Sequence, residues 1–258
     1  MISLENIEYD RELRDLGFEV FYLKKTFSTM DYAKEALTYG GYLKAVIIAE
    51  EQIRGRGRKG RKWVSPRGGL WVTIVTPVPQ SMLELISIIA GLSVVLTIKE
   101  HYGLNIKLKW PNDIVYLGFK LGGILIENEL HGNKVVSLIG IGLNCNNNSL
   151  SIGIPGVISL REILGRKISR IALLKGIIKN LTTLLNNYSP HDIIRIYKSY
   201  SFTLNRKVKI FNGKKTVEGI AVDITANGKL VVKTYENNFI IVEFGEVIEH
   251  EGLHYKPG

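Results

Sequence analysis

The sequence predicts an α+β protein: a mixed β-sheet with helices packed against it, followed by a small antiparallel β-barrel. Three observations carry this. Apolar runs of strand length alternate with stretches of helical periodicity up to Tyr200. From Asn205 onward only short strand-like runs remain, separated by NGK, ANGK and ENN turns. The chain has 258 residues, 45% of them apolar, enough to bury a large core and a small one, which excludes disorder of the whole.

The elements follow in order. FEVFYLKKTF (18–27) is aromatic and β-branched and reads as a strand, with Ser28 or Thr29 capping a helix through about Tyr39. AVIIAEEQ (45–52) and GGLWVTIVT (68–76) read as buried strands on either side of a basic loop. LELISIIAGLSVVLTI (83–98) lies within a helix expected over 82–101; it contains Glu84 and is shorter than the ~20 residues of a spanning helix, so it is expected to be buried in protein. IKLKW, DIVYL, KLGGILIENEL and VVSLIGIGLN then read as strands joined by Asn, Gly and Pro turns. NNNSLSIGIPG (146–156) reads as a loop, Ser159 and Ser169 as caps, and helices run to about Tyr188 and from Pro190 to Tyr200. RKVKIF, TVEGIAVDIT, KLVVKTY and FIIVEF would build the barrel, giving domains over 1–202 and 203–258.

Charge is unevenly placed. The net charge is +10, yet residues 1–53 carry six basic and ten acidic side chains, and residues 54–62, RGRGRKGRK, are six basic residues and three glycines. Such a balance favours an anionic partner without choosing one. Cys145 is the sole cysteine, so no internal disulfide forms, and no His, Cys and carboxylate residues have zinc spacing. The N-terminus lacks an apolar segment of signal-peptide type. A cytoplasmic protein without a membrane partner is expected.

Taken alone, a basic run reads as a solvated tail, a nucleic-acid patch or a targeting signal. Here the glycines alternate with arginines, the run lies between core strands, and Trp63 follows at once. Glycine lets backbone N–H groups and guanidinium forks converge on one anion, as a polyphosphate site requires.

GRGRKGRKW (55–63), with Gln52 three residues ahead, resembles the signature of biotin protein ligases. KWPND (109–113), KLGGILIE (120–127) and GIGLN (140–144) follow in the family's order, and FSTMD (27–31) looks like its Ser-Thr segment. The resemblance implies a catalytic domain like that of class II synthetases, as in biotin and lipoate ligases, and an SH3-like terminal barrel. It implies a biotin–[acetyl-CoA-carboxylase] ligase that joins biotin to ATP as biotinyl-5'-AMP, releases pyrophosphate, and passes biotin to a lysine of a biotin carboxyl carrier protein domain. Magnesium would accompany ATP, and the ligase would be a homodimer. Fewer than 20 residues precede the first strand, so the monofunctional type, without operator DNA binding, is expected. Lipoate or octanoate ligases resemble the same fold, but the basic loop and KWPND favour biotin.

The resemblance also assigns roles. Arg56 and Lys120 would neutralise the biotin carboxylate and the α-phosphate, because two anions repel strongly in a water-poor site. Ser28, Thr29, Met30, Gln52, Gly57, Arg58, Gly123 and Gly140 would surround biotin, hydroxyl and amide groups matching its ureido ring and Gly123 leaving space for it. Arg61, Trp63, Lys109, Asn112 and Asn144, with Arg56, Arg58 and Lys120, would bind ATP, Trp63 stacking on adenine. Asp113 would orient the incoming lysine and accept its proton. Ile53-Arg54 and Met30 depart from the residues common at those places in such ligases.

Overall fold

The computed structural model describes Leu4, Ile7 and residues 10–211 and 215–255. After a short α1 (Arg11–Asp15) come β1 (Glu19–Leu23), α2 (Thr29–Gly40), β2 (Ala45–Ala49), β3 (Leu70–Pro77) and α3 (Ile86–Tyr102). Then follow β4 (Lys107–Lys109), β5 (Asp113–Tyr116), β6 (Phe119–His131) and β7 (Lys134–Leu143). These strands form one seven-stranded sheet in the order β1-β2-β3-β7-β6-β5-β4. β1 and β2 are parallel and every other pair is antiparallel, so the sheet is mixed.

Both faces of this sheet are covered, which explains why β2 and β3 are mostly apolar rather than alternating. Along β2 and β3, Val46, Ile48, Val72 and Ile74 face the main core, while Ala45, Ile47 and Val75 meet Met30, Ala33 and Leu37 of α2. Side chains alternate across a strand, so one apolar run serves two cores. α2 starts at Ser28, whose side chain accepts from the Met30 N–H, and ends at Gly41 with φ 66°.

α3 is the long apolar helix, and it is buried as expected from its sequence. Its start differs: residues Gln80–Leu85 form a 3-10 turn, and the α-helix begins only at Ile86. Against it lies α5 (Arg170–Asn187), preceded by α4 (Leu160–Leu164) and followed by α6 (Pro190–Tyr200). Ser159 and Glu162 form a reciprocal capping box, and Ser169 caps α5. Cutting a fully buried α3 residue such as Ile89 back to alanine would cost about 2–5 kcal/mol.

The last part of the chain is a five-stranded antiparallel sheet. β8 (Lys207–Phe211), β9 (Thr216–Ile224), β10 (Leu230–Thr234), β11 (Phe239–Val242) and β12 (Glu246–His250) are ordered β11-β10-β9-β8-β12. β12 was not expected from the sequence. It follows β11 after three residues, so the run reads as one strand, yet it pairs with β8 at the far edge of the sheet. Beyond it the chain returns to the large sheet, where the His254 N–H donates to the Gly118 carbonyl (3.0 Å).

Candidate active site

The basic loop leaves β2 and comes back through Ser65, and what it encloses with the β5–β7 ribbon is a cleft of about 290 Å³. Its uncharged end is built from the start of α2. The Gln52 Oε1 accepts from the Thr29 N–H (2.8 Å) and the Thr29 hydroxyl (3.1 Å), and its Nε2 donates to Ser65 Oγ (2.8 Å). The Thr73 hydroxyl donates in turn to Thr29 Oγ1 (2.9 Å). Ser28, Thr29, Ser65 and Thr73 are all buried, so this chain of hydroxyl and amide groups is fixed before any ligand enters.

The loop itself turns back at Lys59 (φ 56°) and Gly60 (φ 72°), where Arg56 pairs with Lys62 and the Trp63 N–H donates to the Gly55 carbonyl (2.8 Å). Arg56 is gripped by two carboxylates. Its Nη1 donates to Glu127 Oε1 (2.8 Å) and its Nη2 to Asp31 Oδ1 (2.6 Å). Burial pulls the guanidinium pKa down, but these two partners outweigh it and raise the value further. Arg58 donates to Asn112 Oδ1 (3.2 Å) and to the Gly245 carbonyl beside β12 (3.3 Å).

Opposite the loop, the Asp113 carboxylate is 7% exposed and is shared between two ammonium groups. Lys109 Nζ lies 2.9 Å from its Oδ2 and Lys120 Nζ 2.8 Å from its Oδ1. The register places them: Lys109 is the partner of Asp113 across β4 and β5, and Asp113 is the partner of Gly123 across β5 and β6. Burial alone would raise the Asp113 pKa, but the charges of Lys109 and Lys120 dominate and hold it far below the usual carboxylate range. A carboxylate so stabilised as an anion is a weak proton acceptor. The geometry suits orienting ammonium groups.

Every site residue singled out in the sequence lines this one cleft: Ser28, Thr29, Met30, Gln52, Arg56, Gly57, Arg58, Arg61, Trp63, Lys109, Asn112, Asp113, Lys120, Gly123, Gly140 and Asn144. The glycines bear directly on Trp63. A Cβ on Gly123 would lie 3.4 Å from the Trp63 ring, and one on Gly142 only 2.5 Å from Trp63 Nε1. The bare backbone of Gly142 therefore seats the Trp63 indole, while a Cβ on Gly123 would only touch the ring. Trp63 packs on Gly142, with the Lys120 ammonium 5.3 Å from its ring centroid. Gly140 faces Met30, whose Cε would be 2.8 Å from an added Cβ.

Two buried donors of the cleft, Arg56 Nε and Trp63 Nε1, have no hydrogen-bond partner among the described residues. Buried donors are normally satisfied, so a ligand acceptor is the expected occupant. Sequence reasoning did not single out Asp31 and Glu127, though both lie inside blocks quoted for other residues, and it missed Gly142 and Tyr255. Asp31 and Glu127 carried a legible signal, an acidic residue beside each motif; Tyr255 carried none.

The biotin/lipoate A/B protein ligase family model matches residues 22–144, and the biotin protein ligase C-terminal domain model matches residues 203–248. The chain belongs to the biotin/lipoate A/B protein ligase family. Among relatives in this family, the bifunctional ligase/repressor BirA of Bacillus subtilis is 29% identical over 91% of this chain and 75% of its own length. The biotin–[acetyl-CoA-carboxylase] ligase of Mycobacterium tuberculosis is 28% identical over 79% of this chain and 78% of its own. A solved structure of the biotin protein ligase of Aquifex aeolicus, in complex with biotin and ATP, superposes with a TM-score of 0.72 at 29% identity, covering 88% of this chain and 96% of that one. The catalytic ligase fold and the small antiparallel sheet at its end are thus shared with this family.

Proposed function

We propose that both half-reactions of this biotin protein ligase take place in the one cleft, with the named cations carrying the charge chemistry. The enzyme activates biotin with ATP and transfers it to protein. A biotin carboxylate oxygen attacks the α-phosphorus and pyrophosphate leaves; a lysine amine then attacks the acyl carbon of the adenylate, AMP leaves, and the amine proton passes to solvent. One observation carries the assignment of residues: cations from the basic loop, from β4 and from β6 face a buried end whose polar groups are hydroxyls and amides.

The uncharged end fits the ureido ring, whose carbonyl accepts and whose two N–H groups donate. Ser28, Thr29 and Gln52 supply those partners, and Met30, Gly140 and the apolar side chains nearby wall the rings. The carboxylate then points toward Arg56 and Lys120. For Arg56 to reach it, the guanidinium exchanges Asp31 or Glu127 for the incoming anions. Arg58, Arg61, Lys109, Asn112 and Asn144 line the remaining space toward the triphosphate. Closing the loop over both substrates keeps water from the mixed anhydride.

Magnesium fits as a passenger of ATP. It keeps several waters and is held mainly through substrate phosphates, and among the described residues no group of three or more His, Cys or carboxylate side chains converges to cage it. The Asn112 and Asn144 amides are the residues that would hold it, and it would offset phosphate charge there. Asp113 draws in the carrier lysine's ammonium. The carrier is a biotin carboxyl carrier domain, the compartment is the cytosol, and the enzyme pairs as a homodimer through the central sheet.

Pyrophosphate exchange decides the reading. With ATP and magnesium, labelled pyrophosphate should enter ATP when biotin is added and not when lipoate or octanoate replaces it. Exchange driven by lipoate alone, or none with any acid, contradicts it.

A further inference from the structure

Residues 251–255, which follow β12, pack back on the catalytic sheet. The His254 ring stacks on Phe119 with centroids 4.3 Å apart. Gly118 and Gly156, both with positive φ, leave no room for a Cβ against the backbone of Gly252 and His254. This path carries Tyr255 into the site, where it is 7% exposed and forms a small buried cluster with Val115 and Phe202.

There the Tyr255 hydroxyl donates to Asp113 Oδ2 (2.8 Å), 142 positions away in sequence. Its ring lies 5.5 Å from Lys109 Nζ and 5.4 Å from Lys120 Nζ. Lys120 Nζ is thereby held on three sides: by the Asp113 carboxylate, by the Trp63 ring and by the Tyr255 ring. Ammonium groups are attracted to aromatic faces, and the attraction grows as water is excluded. Burial, and then the negative charge of Asp113, raise the phenol's pKa, so it stays a donor at any working pH.

We infer that Tyr255 is a positioning residue of this ligase, supplied by the C-terminal tail, which fixes the Asp113 carboxylate and through it and its own ring the ammonium of Lys120. The inference rests on the proposed role of Lys120 in adenylation. The hydroxyl aims the carboxylate and the ring confines the lysine, so the two parts are separable: Tyr255→Phe removes the first and Tyr255→Leu both. The tail also makes the terminal sheet a working part of the site, since β12 leads directly into it.

Two measurements on the full-length chain test this. In biotin-dependent pyrophosphate exchange, Tyr255→Phe should lower kcat roughly tenfold with the KM for biotin nearly unchanged, the size expected from one hydrogen bond to a charged group; Tyr255→Leu should lower it further. In competitive acetylation of lysines read by mass spectrometry, Lys120 should react several-fold faster in Tyr255→Leu than in the unaltered protein, with Lys34 as the internal reference. Unchanged kcat in Tyr255→Phe together with unchanged Lys120 labelling in Tyr255→Leu overturns the inference. So does a kcat loss that merely follows the folded fraction in thermal unfolding. If the unaltered protein shows no exchange, the functional reading fails, and the labelling result alone decides whether Tyr255 holds the lysine.

Discussion

The Trp63 indole rests on the bare backbone of Gly142 so closely that a Cβ there would stand 2.5 Å from Nε1 and 2.6 Å from Cε2. Since Lys120 Nζ lies on the same ring, this pair ties the shape of β7 to the position of a cation on β6. Gly142→Ala must displace the indole or the strand. Overpacking of this kind costs about 1–3 kcal/mol, and the displaced ring moves Lys120. The expected outcome is a lowered melting temperature and a reduced kcat/KM for adenylate formation. Unchanged values for both would mean that the ring has another resting place of equal energy.

Arg56 and Lys120 approach the cleft from separate elements, the basic loop and β6, and each is anchored by carboxylates. Removing a donor aimed at developing charge typically slows a reaction roughly 100- to 1,000-fold. Arg56→Ala and Lys120→Ala should each lose biotinyl-AMP formation on that scale in single-turnover assays. Glu127→Gln is a sharper probe. It keeps the shape but frees Arg56 from one anion, so a guanidinium that must exchange partners should bind biotin and ATP more tightly in this variant, as titration calorimetry would show.

Contacts that hold the loop carrying Arg56 include its own turn, the two carboxylates, the Arg54 N–H on the Phe27 carbonyl (2.9 Å), and Arg58 on Asn112 and the Gly245 carbonyl. Substrate anions would add contacts to most of its cations at once. Limited trypsin digestion should therefore cut within residues 54–62 readily in the free protein and much more slowly with biotin and ATP present. Equal cleavage in both states would argue against closure.

How far the sequence could be read depended on whether a feature repeats locally. Periodic apolar runs revealed the buried strands and α3, and short motifs with fixed spacing brought forward residues that the register of β4 to β7 then sets side by side. Lys109, Asp113 and Gly123 are neighbours because their strands pair, a register that only the structure gives. Short α1 and β12 lack a periodic signal, and β12 merges in sequence with β11 though the two lie at opposite edges of their sheet. Tyr255 was beyond reach for a different reason. Its partner is 142 residues distant, and no local pattern records a tail folding back.

The shared carboxylate of Asp113 gives a prediction with a definite sign. Its folded pKa lies below its ordinary value of 3.8, because Lys109 and Lys120 favour the anion. A group depressed in this way contributes stability that is fully present above the unfolded value and is lost as pH falls through the folded one. Asp113→Asn removes that contribution and leaves two ammonium groups facing each other in a buried site. Breaking such a pair costs about 3–5 kcal/mol. Urea unfolding at about pH 7 should show a loss on that scale, and the gap between variant and unaltered protein should narrow below about pH 4, where the carboxylate of the unfolded chain takes up a proton while the native one stays ionised. A gap that stays constant down to about pH 3 would mean that Asp113 is not the titrating anchor of the two lysines.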